Sequence, residues 1–323
     1  VGLARPPGSS RAERTDAAVA GVQDRRPGAE NDGRPSQHRH PMPAPAVITQ
    51  APATLAGWTA LFDAPSLPVL AESAAALEEL RLNEDAVDAQ LLAHHFQDDP
   101  LLTIKVLAHL GALRAGREGG EAETLLEALV MLGIPPFFSA FGPQPVAEAQ
   151  LADHPAALDG FRRVLLRARR AARFATAFAV HRMDHDAPVI HEAALLHDFA
   201  ELLLWLRAPA LALQIQARQQ ADPTLRSAAV QRELLHVELA ELEHALMTAW
   251  RLPGLLVRIT DDHAPRADAQ VRNVQIALRV ARHSAAGWDN AALPDDIADV
   301  AELLTLSPIA AERLLHEIDD EPA

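Results

Sequence analysis

The 323-residue chain has no cysteine and no tyrosine, and aromatic residues make up only 4% of it. Without cysteine it can have no disulfide framework, no thiol catalysis and no thiolate-bound zinc or iron–sulfur centre. That fits a reducing compartment, so a cytoplasmic location is expected. No apolar run is long enough to span a bilayer, and residues 1–20 lack the charged-then-apolar order of a signal peptide. Basic excess is missing as well. There are 29 Lys and Arg against 44 Asp and Glu, a net charge of −15, which argues against broad phosphate-backbone binding. The chain has no serine nucleophile elbow, and the glycines between Arg114 and Glu121 do not have the spacing of a phosphate loop. Its four Trp lie far apart in sequence and form no stacking ladder for bases.

What is present is mostly Ala and Leu, a mix that favours helix over sheet. Residues 1–48 are the exception, being rich in Pro, Gly, Arg, Ser and Asp without apolar periodicity, and they read as a disordered arm. Met42 is the expected natural start, and His38 and His40 are expected to be solvated. Helical spacing begins near Leu55 and continues through Leu70, Ala74, Leu77 and Leu80. Asn83 is the expected N-cap of the next helix, with Val87, Leu91 and Leu92 facing inward. His94 and His95 fall at its end, about 100° apart on the helix, and so make a poor metal pair. Asp99-Pro100 opens a helix closing near Gly111, and Thr124 opens one stopped by Gly133 and by Pro135-Pro136. The break at Gly142-Pro143-Gln144-Pro145 separates an N-terminal helical subdomain, 49–145, from a bundle over 146–290. Helices are expected at about 156–180, 189–206, 233–250 and 271–284. Amphipathic helices within 291–323 close the bundle. No strand and no internal repeat is expected.

His197 and Asp198 end the apolar run Ala193-Ala194-Leu195-Leu196. A buried aspartate needs a cation, because an unpaired buried charge costs several kcal/mol. That cation is either a metal ion or a fixed basic side chain. His181 and His185 have the i, i+4 spacing of a zinc pair, with Asp184, Asp186 and His191 nearby. Pro188 interrupts them, however, and a polar turn is the plainer reading. Arg162, Arg163, Arg167, Arg169, Arg170 and Arg173 crowd one helix. In so acidic a chain they are expected to form internal salt bridges rather than a nucleotide site.

Several motifs resemble, in this order, those of the HDOD family, a signalling offshoot of the HD-domain phosphohydrolases. They are Leu67-Pro68, Asp99-Pro100-Leu101, Ala128 to Leu132-Gly133, Leu195-Leu196-His197-Asp198, His236-Val237-Glu238-Leu239 and Trp250-Arg251-Leu252-Pro253. Together they cover about residues 64–285. The resemblance implies an all-α, HD-type helical bundle with an N-terminal helical subdomain.

In the enzymes of that superfamily a His, a His-Asp dyad and a closing Asp hold divalent cations that activate water against a phosphoester. By the resemblance, His197 and Asp198 match the dyad, and His236, Asp262 and His263 fall where one enzymatic branch has added histidines. The outer ligands do not match. Arg167 falls at the expected first His and Arg282 at the closing Asp, while Ala200 and Glu201 replace the glycine and lysine after the dyad. Arginine has no lone pair to give a metal, and its charge repels one. The expectation is therefore a vestigial site in which Arg167 or Arg282 pairs with Asp198 in place of metal, with no cofactor. The function implied is a non-catalytic regulatory protein acting on a protein partner in a signalling pathway, with a small nucleotide as a further candidate ligand. The competing expectation is a metal-dependent phosphohydrolase or cyclic-dinucleotide phosphodiesterase using His197, Asp198, His236 and His263.

Overall fold

The apolar spacing folds into helices throughout the residues that the computed structural model describes: 46–116, 120–222, 224–261 and 268–320. The chain enters beside what will be a central helix end, where the Ile48 N–H donates to the Arg207 carbonyl at 2.6 Å. Helix α1 (Leu55–Thr59) buries Trp58, whose indole N–H donates to the Leu235 carbonyl at 2.8 Å. Helix α2 (Ala71–Arg81) follows, then α3 (Ala89–Phe96). The cap of α3 is Asp88, whose carboxylate accepts the Leu91 N–H at 2.8 Å, and not Asn83, which precedes only a short 3-10 turn. That register buries Leu92 and turns Leu91 outward.

Helix α4 (Pro100–Leu113) starts as its sequence predicts. One oxygen of Asp99 accepts the N–H groups of Leu101 and Leu102, at 2.9 and 3.0 Å, and the other accepts that of Leu70 at 3.0 Å. Gly111 does not stop this helix. It is there because a Cβ would lie 2.6 Å from the Arg251 carbonyl oxygen, so two backbones touch. Helix α5 (Leu125–Leu132) ends at Gly133, with φ 82°. Pro135 and Pro136 then fall in the first turn of α6 (Ile134–Ala140), where a missing N–H costs nothing. A single β-bridge, Val69 with Val146, is the only strand-like pairing among the described residues. Beside it, buried Lys105 donates to the Leu67 carbonyl at 2.6 Å and to Gln144 Oε1 at 2.5 Å. Helix α7 (Ala147–Gln150) leads to the long one.

Helix α8 (Pro155–His181) spans 27 residues and packs Phe161, Val164, Ala168, Ala172, Ala175 and Phe178 inward. Against it lie α9 (Ala187–Leu196) and α10 (Phe199–Arg207), where one helix over 189–206 was expected; the chain breaks at His197-Asp198. After α11 (Pro209–Ala221), the predicted 233–250 helix is also two, α12 (Ser227–Leu235) and α13 (Leu239–Ala249). His236 parts them with φ 63°, and Glu238 and Glu241 form a capping box for the second. Helices α14 (Gly254–Ile259) and α15 (Ala269–His283) return to the core, and α15 runs beside α8 and α9. Helices α16 (Leu293–Leu304) and α17 (Pro308–Asp320) form a hairpin turning at Thr305, φ 56°.

Two packing details have measurable consequences. Gly160 of α8 lies against the buried Trp205 ring of α10, and a Cβ there would stand within 2.6 Å of three of its ring atoms. Gly160→Ala is expected to destabilise the protein by about 1–3 kcal/mol, read as a lower urea midpoint. Glu192, on α9, is buried and accepts the Leu125 N–H at 2.5 Å, while its other oxygen has no partner.

Burial pushes the Glu192 carboxyl up to about 8. Between the ordinary carboxylate range and that value the folded protein holds a proton that the unfolded chain has released, so stability falls as pH rises through this window. Glu192→Gln keeps the acceptor for Leu125 and should flatten this slope. Between pH 5 and 8 the two proteins should diverge by on the order of 3 kcal/mol in urea titrations.

Candidate functional site

The break between α9 and α10 carries a buried aspartate. His197 keeps helical dihedrals, but Asp198 turns to φ −107°, ψ 20°, which lifts its carboxylate out of the helix line. The carboxylate is buried, yet both oxygens are satisfied. Arg167 of α8 donates from Nε to Oδ2 at 2.8 Å, and Arg282 of α15 donates from Nη2 to Oδ1 at 2.8 Å. Arg167 also reaches Glu201, one turn into α10, at 2.6 Å. His197 Nδ1 stands 3.5 Å from Oδ1, long for a hydrogen bond. Burial alone would raise the Asp198 pKa; the charges of Arg167 and then Arg282 overcome it and hold the carboxyl well below its usual range. Two guanidinium groups and two carboxylates leave the cluster neutral.

This cluster forms part of the wall of a cleft of about 1790 Å³ that follows the outer face of α8. The cleft also takes in His95, Arg170, Trp205, Glu243 and residues of α17. The arginine-rich face is largely occupied by acids. Arg169 pairs with Glu72 of α2, and Arg170 with Asp319 of α17, while Arg162 and Arg163 are exposed.

Of the residues singled out in the sequence, the fold brings His197, Asp198, Arg167 and Arg282 together at this wall. His236 is not with them. It lies exposed in the α12–α13 turn and does not line the cleft. Asp262 and His263 lie outside the described residues. His181 and His185 are exposed at the α8–α9 turn, and His191 Nδ1 instead meets Thr176 Oγ1 at 3.0 Å. Among the described residues no group of three or more His, Asp or Glu is arranged to hold a metal ion. The residue that sequence reasoning missed is Glu201. It stands out only as a departure after the dyad, and its spacing of three from Asp198 was the signal that one guanidinium could bridge both.

The divalent cation that activates water in HD-type enzymes does not fit these residues. Both oxygens of Asp198 are taken by fixed cations, and an arginine offers no lone pair at either outer position.

The architecture and the His-Asp break define an all-α protein of HD type. A family model described as "HDOD domain" matches residues 67–265, and the chain belongs to that family. Two solved structures share the fold. One is the MmoQ response regulator of Methylococcus capsulatus, 22% identical, covering 74% of this chain and 98% of its own, with a TM-score of 0.57. Another is a virulence factor of Campylobacter jejuni, 18% identical, covering 74% of this chain and 85% of its own, with a TM-score of 0.52. No curated protein matches the chain. No described helix is long and apolar enough to cross a membrane.

The two clamping arginines differ in exposure, with side chains 19% exposed for Arg167 and 46% for Arg282. Removing one partner of a buried pair leaves an uncompensated charge, so Arg167→Ala should cost about 3–5 kcal/mol. Arg282→Ala, at the wetter edge, should cost about 1 kcal/mol. Urea unfolding at pH 7 reads both, and the ranking is the test.

Proposed function

We propose that this protein is a non-catalytic regulatory member of the HDOD family, with a vestigial HD site locked by arginine. The observation that carries this reading is the pair of guanidinium groups on Asp198, at 2.8 Å each, from the two helices where metal-dependent relatives would supply ligands. With a guanidinium on each oxygen, Asp198 is a poor ligand for a cation, which the fixed positive charge repels, and a weak proton acceptor. Regulation comes from the family and not from any single side chain. The cleft beside α8 and the helical surface around it would engage a protein partner of a signalling pathway, with a small nucleotide as a further candidate ligand. The His-Asp pair sits in the core as a clamp between α8, α10 and α15.

Elemental analysis of protein purified without chelator or affinity tag, repeated after Mn²⁺ loading, tests the reading. Metal far below one equivalent in both samples, with no hydrolysis of phosphodiesters including cyclic dinucleotides, is the expected result. Near-stoichiometric metal that disappears in His197→Ala would instead establish a metal-dependent phosphohydrolase.

A further inference from the structure

Arg170 is held differently from its neighbours on α8. Its Nη1 and Nη2 donate to the Ala281 carbonyl at 3.4 Å and to Ser284 Oγ at 3.0 Å, both on the last turn of α15 or just after it. Ser284 is fixed in turn by donating to the Val280 carbonyl at 2.5 Å. These contacts orient the guanidinium fork before any anion arrives. Its remaining edge, Nε and Nη2, grips both oxygens of Asp319 at 2.8 Å each, the two-pronged geometry that suits carboxylate and phosphate alike. Arg167 and Arg282 are neutralised by carboxylates at the core break. The counter-ion of Arg170 comes instead from α17, the last helix described.

Helix α17 is also a wall of the cleft, contributing Leu314, Glu317 and Ile318 beside Arg170 and Arg282. It hangs from α16 through Thr305, a β-branched residue in the left-handed region at φ 56°, just before Pro308. Such a conformation is costly for threonine. Apart from its hairpin partner α16, its main helical neighbour is α8, where the Arg170–Asp319 pair fastens its far end.

We propose that Arg170, oriented by Ser284, is an oxyanion site that the chain's own Asp319 fills, and that a phosphate-type ligand taking the carboxylate's place releases α17 and opens the cleft. The exchange conserves the ionic contact, since one bidentate anion replaces another, and the cost is the undocking of Leu315 and Ile318. Asp319 is then an internal competitor that sets the ligand threshold. This device is independent of whether the HD site holds metal.

The probe is inorganic phosphate, titrated calorimetrically into the full chain, into Asp319→Asn and into Asp319→Asn combined with Arg170→Gln, with sodium chloride matched for ionic strength. Asp319→Asn is expected to bind phosphate at least tenfold more tightly than the parent, and the double variant to lose that gain. In the parent protein, saturating phosphate is expected to speed amide exchange across residues 308–320 and leave 293–304 unchanged. That second measurement needs no variant. Equal affinity in the parent and Asp319→Asn, retention of the gain in the double variant, or exchange in 308–320 that stays constant or moves together with 293–304 would overturn the proposal.

Discussion

A single buried carboxylate organises the centre of this molecule. Asp198 cannot be left alone in an apolar interior, and it is served by one cation from α8 and one from α15. Three segments far apart in sequence are therefore tied at one point. For this to work, α8 must run far enough to present Arg167, the chain must break after α9 to turn Asp198 toward it, and α15 must return with Arg282 within reach of the same carboxylate. Glu201 completes the balance by taking the second donor of Arg167. The charges cancel within the cluster, so the interior bears no net charge there.

Helix α8 extends the same logic along its length. Arg167 serves the break, Arg169 reaches α2, and Arg170 reaches α15 and α17. The helix has one apolar face for the core and one basic face on which Arg167, Arg169 and Arg170 each address a different neighbour. In a chain with 44 acids, Arg167, Arg169 and Arg170 of that face meet carboxylates of its own fold.

Much of this was legible in the sequence where the determinant is local. Asp99-Pro100, Thr124 and Pro155 mark helix starts through capping and ring geometry alone, and the helical class follows from spacing. The motif order indicated the family, and with it the positions of Arg167 and Arg282. What could not be read was set by distant packing. Neither His197-Asp198 nor His236 carries a Gly or Pro to announce a break; the first chain break follows from where two arginines stand, and His236 adopts a left-handed backbone with nothing in its own chemistry to require it. Asn83 and Asp88 are both good caps, and only the burial of Leu92 decides between them. The proline pair after Gly133 is a stop signal by composition and a start by position, a distinction that needs the neighbouring backbone.

The double clamp on Asp198 also bears on how such a site can change over generations. Exchanging Arg167 for a histidine would leave Asp198 still covered by Arg282, and exchanging Arg282 for an aspartate would leave Arg167 facing an added negative charge. Each single exchange removes half of the compensation and adds at most one ligand beside a remaining guanidinium. A metal site built at this position would therefore need two replacements in separate helices, passing through a less stable intermediate.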